Sequence, residues 1–183
     1  ALDKRMGGAA CCLCMNGDKE GQEKVRSLDA FRSREMYAKS GGLSGFTENA
    51  LEDRWILSRF NSVSQQMHEA LTAYRFHEAA HVVYHVFWGE FCDWYIEATK
   101  VRLNRGDTSP LPVLTAVLDS GLALLHPFAP FVTEEIWQNL LPYLPEGASE
   151  ALIVAPFPES EAGQSSPEAE RRMATRLGMV RAA

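Results

Sequence analysis

Residues 75–103, RFHEAAHVVYHVFWGEFCDWYIEATKVRL, contain no proline and repeat an apolar side chain every three to four positions: Phe76, Ala80, Val83, Phe87, Phe91, Trp94 and Ala98. That spacing gathers side chains on one face only in a helix. At 1.5 Å per residue such a helix is roughly 40 Å long, the full width of a domain. An apolar stripe of that length needs other elements to cover it, and because the rest of the chain from about Glu48 also reads as a string of helices, the chain is expected to be all-α.

The neighbouring segments agree. TENALEDRWILSRFNSVSQQMHEALTAY, from about Glu48, places Trp55, Ile56, Phe60, Val63, Met67 and Leu71 on one stripe, with Thr47 available near its first turn. NRGDTSP breaks the long helix at Gly106 and Pro110, and Asp107 or Thr108 can cap the next one. LPVLTAVLDSGLALL predicts a third helix, closed at HPFAPF by Pro127 and Pro130. FVTEEIWQNLLPYL predicts a fourth, with Thr133 as its cap and Glu134 and Glu135 near its positive end. ALIVAPFPES reads as extended because of Pro156 and Pro158, and a last helix restarts at Ser166 with Pro167 first. The first 46 residues are polar and glycine-punctuated, a loop or a short helix over about Lys24 to Lys39. The expected architecture is an antiparallel helix bundle over 47–150, with a loosely ordered N-terminal arm over 1–46. An extended segment and C-terminal helix over 151–183 pack on the bundle.

Composition excludes some functions and leaves others open. No apolar run approaches the ~20 residues a membrane-spanning helix needs, and the N-terminus makes a poor signal peptide, so the expected location is the cytoplasm and no membrane partner is expected. The net charge of −6 argues against nucleic acid. Its distribution weakens that argument: residues 1–105 hold 14 basic and 14 acidic side chains, whereas 106–170 hold 10 acids and no Lys or Arg. The N-terminal half can therefore present basic patches.

Two clusters invite a metal. Cys11, Cys12 and Cys14 cluster, but with Cys92 alone far along the chain they lack the second ligand pair of a tetrahedral zinc site, and free thiols are the simpler reading. HEAAH at 77–81 is H-E-x-x-H, which on a helix places His77 and His81 on one face with Glu78 as a base. A hydrolase of that kind needs a third ligand and a cleft, and the chain offers no strands to build one. The stretch EFCDWYIE raises an acid–base reading, since Glu90, Asp93 and Glu97 share a face. A solvated acidic face beside a buried aromatic stripe needs no such role. Glycine-rich phosphate loops and G-x-S-x-G are missing.

Read together, DRWILSRFN (53–61), YRFHEAAHVVYHVFWGEFCDWYIEATK (74–100), LLHPFAPFVTEEIWQNL (124–140) and ALIVAPFPE (151–159) resemble the anticodon-binding domain of the valyl-tRNA synthetase family, over about residues 47–181. EFCDWYIE followed by Lys100 favours the valine branch over the isoleucine and leucine relatives. The resemblance implies a helical bundle that grips the anticodon stem-loop of valine tRNA and works beside a catalytic domain of the same enzyme. That domain, with its H-I-G-H and K-M-S-K-S type signatures and its use of ATP and magnesium, is not in this sequence. The isolated chain is expected to need no cofactor and to be catalytically inactive, as an excised domain or fragment would be. The family's K-L-W-N-A-A-R-F-V-L-M-N stretch aligns with RMGGAACCLCMN, where Gly7, Gly8, Cys11 and Cys12 replace Trp, Asn, Arg and Phe.

Unpaired anticodon bases are held by aromatic stacking and their phosphates by Arg and Lys. The expected tRNA-binding residues are Arg54, Trp55 and Arg59, at an exposed bundle end, together with Lys100, Arg102 and Arg105 at the end of the long helix. The negative helix terminus also explains this second cluster, and Trp55 is equally a core residue. Within EFCDWY, the resemblance places Phe91, Trp94 and Cys92 inside and the acids towards water or basic neighbours. Two alternatives stand beside this reading: a metal-dependent hydrolase built on His77, Glu78 and His81, and a helical protein-interaction module.

Overall fold

A computed structural model describes residues 50–144, 147–161 and 163–182. The N-terminal arm, the short helix expected within it, Thr47, the cluster Cys11–Cys12–Cys14 and the altered N-terminal motif lie outside the described residues. Within them every regular element is helical, so the all-α expectation holds.

Helix α1 spans Leu51–Thr72 and buries Trp55, Ile56, Phe60, Val63 and Met67, as their spacing predicts; in its last turn Ala70 is buried and the expected Leu71 only partly so. A tight turn reverses the chain. The Tyr74 N–H donates to the Leu71 carbonyl at 3.0 Å and the Arg75 N–H to the Ala70 carbonyl at 2.8 Å, which satisfies two carbonyls that the end of α1 would leave open.

The long helix after this turn is not uniform. It comprises α2 (Phe76–Val86), a π-helical segment (Phe87–Tyr95) and α3 (Ile96–Leu103). An unbroken α-helix was the expectation over this stretch, and packing explains the departure. Ala79, Val83, Phe87, Phe91, Tyr95 and Thr99 are all buried, at a constant step of four residues. At 3.6 residues per turn, a step of four overshoots the face by about 40° each time. The wider π turn, closed by i→i+5 bonds, undershoots it and brings the stripe back onto α1. Tyr95 and Thr99 are therefore core positions in place of the expected Trp94 and Ala98, which are only partly buried; at the start of the stripe Ala79 is buried, the expected Ala80 only partly so, and Phe76 is exposed. Phe91 sits edge-on to Phe60 with ring centroids 5.9 Å apart.

Helix α4 spans Leu111–Leu125, as its apolar run and flanking prolines predict. Helix α5 (Pro130–Leu140) begins three residues before the expected cap. Thr133 is buried inside its first turn, where its hydroxyl donates to the Ala129 carbonyl at 2.9 Å and lies 2.8 Å from Nδ1 of His126. Pro130 starts this helix, because its fixed φ suits the first turn and its missing N–H costs nothing there. Trp137 of α5 donates its indole N–H to Asp119 of α4 at 2.7 Å. A 3-10 turn (Leu141–Tyr143) comes next. A second (Leu152–Val154) interrupts the stretch expected to be wholly extended.

Helix α6 (Pro167–Ala182) begins where Ser166 and Pro167 predict and packs on α1. The Ser58 hydroxyl accepts the Ser166 N–H at 2.8 Å and donates to Glu170. The Asn61 side chain bonds both backbone groups of Glu161, at 2.7 and 3.2 Å. Polar side chains of α1 thus hold the C-terminal segment on the bundle. No helix among the described residues is long and apolar enough to cross a membrane.

A close helix approach occurs at Gly121 of α4. A Cβ there would lie 2.7 and 2.8 Å from the Phe87 ring and 3.1 Å from Phe60. Gly121→Ala is expected to lower stability by about 1–3 kcal/mol, the usual range for overpacking a filled core. Urea unfolding would read this as an earlier midpoint at unchanged slope, and an unchanged midpoint would show that the rings can swing aside.

Candidate nucleic-acid interface

The six basic and aromatic candidates do not behave alike. Trp55 is 4% exposed and belongs to the core, so it offers no ring face to a base, contrary to its expected place at an open bundle end. Helix α1 already packs in its second turn, and position 55 falls on its apolar stripe. Arg54, on the adjacent face, is partly buried, and its Nε is buried without a hydrogen-bond partner among the described residues. Arg59 points across to the π segment. Its Nε and Nη2 donate to the two carboxylate oxygens of Glu90 at 2.7 and 2.8 Å, and Nη1 lies 3.9 Å from Glu170. This forked pair raises the Arg59 pKa against the opposing effect of burial. It joins α1, the π segment and α6.

In the second cluster, Arg102 has all three guanidinium nitrogens engaged. Nη1 donates to Asp53 at 2.8 Å, Nε to Asp107 at 2.9 Å and Nη2 to the Ser109 hydroxyl at 2.6 Å. Burial works against its charge, but these carboxylates outweigh it and its pKa is raised. Asp53 is 1% exposed and also accepts the Tyr95 hydroxyl at 2.8 Å. Burial lifts the Asp53 carboxyl above its ordinary range while Arg102 and Tyr95 pull it down, and burial with the Asp53 charge pushes the Tyr95 phenol up. Asp107 does not cap α4 as expected. It accepts the Ser109 N–H at 3.0 Å, and the helix begins behind Pro110. Lys100 pairs with Glu97 at 2.6 Å, one turn earlier. Arg105 is exposed and forms no ion pair with any described side chain.

Because Arg102 bonds Asp53, the neighbour of Arg54, the start of α1 and the end of α3 meet. Arg54, Lys100, Arg102 and Arg105 share that end of the bundle, and Arg59 lies apart with Glu90. Among the described residues Arg105 meets no ion-pair partner and Arg54 leaves its buried Nε unbonded, whereas Arg59 and Arg102 hold the fold together.

The H-E-x-x-H pattern lies on an open surface. His77 is 85% exposed, Glu78 bonds Arg75 at 2.8 Å, and the His81 ring stacks on His85 with centroids 6.4 Å apart. Among the described residues no group of three His, Cys, Asp or Glu side chains is placed to hold a metal. The acids of EFCDWY and the nearby Glu97 behave as the packing reading expects: Glu90 pairs with Arg59, Asp93 faces water, and Glu97 pairs with Lys100. Sequence reasoning passed over two features. At the junction of α2 and the π segment, exposed Tyr84 stacks on Trp88, with centroids 5.0 Å apart. The exposed surface of α6 carries Arg171, Arg172 and Arg176, signalled by a basic run straight after an acidic half.

Comparison with known proteins gives a consistent result. A family described as the anticodon-binding domain of tRNA ligase matches residues 53–183. The chain is 42% identical over 177 residues to a valine–tRNA ligase of Dehalococcoides mccartyi (strain CBDB1), covering 91% of this chain and 20% of that protein. A second strain of the same species gives 48% identity over 177 residues with the same coverage. The valine–tRNA ligase of Carboxydothermus hydrogenoformans gives 45% over 150 residues, 76% of this chain and 16% of the relative. The chain therefore spans a fifth or less of the length of the curated relatives it matches.

The Arg102 cluster sets a pH dependence. The Ser109 hydroxyl, then the Arg102 guanidinium, hold the Asp107 carboxyl down to about 2 from its ordinary 3.8. A carboxyl that is a stronger acid when folded stabilises the fold above its unfolded pKa, and this contribution is lost as pH falls through the folded value. Asp107→Asn is thus expected to be less stable than the parent at pH 5, with the difference closing between pH 4 and 2. Urea unfolding at these pH values reads it, and a difference that persisted unchanged at pH 2 would contradict the assignment.

Proposed function

This chain belongs to the family of anticodon-binding domains of tRNA ligases, and from that membership we propose that it binds the anticodon stem-loop of a valine tRNA. In this reading it holds the tRNA, in the cytoplasm, for attachment of valine by a catalytic domain outside this chain. ATP and magnesium would serve that domain, and no residue of this chain is assigned to either. The observation that carries the proposal is the family match across nearly every described helix, with relatives named valine–tRNA ligase at 42–48% identity over most of the chain.

The geometry supplies a physical route. RNA affinity comes largely from cations at phosphates, and base identity from stacking and edge contacts in unpaired loops. At the joined ends of α1 and α3, Arg54 and Arg105 present guanidinium donors. Arg102 acts behind them: by tying Asp53 to Asp107 and Ser109 it fixes the surface on which they stand. The net charge of −6 does not oppose this arrangement, because acids and bases balance over residues 1–105 and the excess of acids lies in 106–170.

Fluorescence anisotropy with labelled valine tRNA, and with the same tRNA carrying a changed anticodon, tests the proposal at two salt concentrations. Tighter binding to the unaltered anticodon, weakening with salt, is expected. Arg105→Glu should weaken both interactions alike and lower the salt dependence by about one counterion, the mark of a phosphate contact. Equal affinity for the two tRNAs would contradict anticodon reading, and no binding would favour a protein-interaction module. Arg102→Ala should act on folding instead, costing about 3–5 kcal/mol because Asp53 is left charged and buried without its partner.

A further inference from the structure

The turn between α1 and α2 departs from what folding alone favours. Its two hydrogen bonds, Tyr74 to Leu71 and Arg75 to Ala70, form the closure in which the residue after the helix cap adopts a left-handed backbone. Glycine, or sometimes asparagine, normally fills that position because a bulky side chain is strained there. Here it is Tyr74, with φ 59°, the only non-glycine residue of positive φ among the described residues. The ring gains little burial in return, being 80% exposed. Phe76 beside it is 55% exposed and meets Tyr74 edge to face, with centroids 6.1 Å apart and planes at 82°. Between them Arg75, half exposed, is steered by its 2.8 Å bond to Glu78. A strained backbone that displays rings to water is the mark of a site rather than of a fold.

We propose that Tyr74, Arg75 and Phe76 form a stacking platform for one unpaired base of the bound tRNA. The inference rests on the function proposed above and names a second contact for it. Edge-to-face packing leaves ring faces open, and aromatic rings and guanidinium planes are the surfaces on which unpaired bases stack. Two rings and one guanidinium match the face of a single base and fall far short of the roughly 800 Å² per partner that a stable protein interface buries. The platform stands at the far end of α1 from Arg54. Tyr74 follows Arg54 by 20 positions along this helix and its end, roughly 30 Å, so the tRNA would lie along α1, and the two contacts should contribute independently.

Thermal unfolding and anisotropy against labelled valine tRNA, on the full chain and its Tyr74→Gly, Tyr74→Asn and Tyr74→Phe variants, test the platform. Tyr74→Gly and Tyr74→Asn are expected to unfold no earlier than the parent, since both suit the left-handed position, yet to bind roughly tenfold to a hundredfold more weakly, the loss of one stacked base. Tyr74→Phe should match the parent in affinity. If the parent binds tRNA and the glycine variant binds equally well, the platform is wrong while the tRNA-binding reading stands. Weak binding by Tyr74→Phe would overturn stacking in favour of the hydroxyl, and earlier unfolding of both Gly and Asn variants would show that the ring serves folding. A parent chain that binds no tRNA overturns both readings.

Discussion

One buried carboxylate sets the register of the bundle. Apolar packing is non-directional and would let two long helices slide or rotate with little penalty. Asp53 removes that freedom, because a hydrogen bond tolerates only a narrow range of distance and angle. It sits in the first turn of α1 and takes Tyr95 from the π segment and Arg102 from α3. Arg102 in turn reaches Asp107 and Ser109 in the connection to α4. A buried charge is costly without such partners, so arrangements that separate them are strongly disfavoured.

The same economy of donors separates the cations that build the bundle from those open to a ligand. Arg59 and Arg102 look like nucleic-acid contacts in the sequence, yet both end on carboxylates of their own chain. Arg105 lies three residues beyond Arg102 with no such partner among the described residues. Alongside, the polar side chains of α1 do what apolar residues cannot: Ser58 and Asn61 meet the unpaired backbone groups of the returning chain, so the C-terminal helix is attached by directional bonds as well as by Ala169 and Met173 in the core.

Local signals were legible and distant ones were not. The limits of α4 and the start of α6 follow from prolines and an apolar run, information held within a few residues. The resemblance carried by DRWILSRFN and EFCDWYIE likewise led to the family that the comparisons show. The π segment escaped because repeats of 3.6 and of 4 differ by one position only after two turns, which is why Trp94 was taken for the core residue that is Tyr95. Thr133 looked like a cap because its type is right, although Pro130 had already begun the helix. At the candidate site, Trp55 was placed by its neighbours Arg54 and Arg59, but its stripe decided its burial. The partners that occupy Arg59 and Arg102 lie 31 and 49 residues away, and nothing local announces them. Tyr74 was hidden for another reason: a tyrosine in a left-handed turn is visible only in the backbone.

The π segment also bears on how sequences of this kind can change length. A π bulge accommodates one residue more than the α register allows while the helix on either side keeps its bearing. In a plain α-helix, removing one residue turns every later side chain by about 100° relative to its neighbours. Between 87 and 95 the same loss has a conformation ready to absorb it, because the segment can tighten to α geometry. Residues from Ile96 onward would then keep their bearing, and Arg102 would still face Asp53. The nine residues act as a phase adjuster between two halves of one rod, a place where lineages can differ in count and still share one bundle.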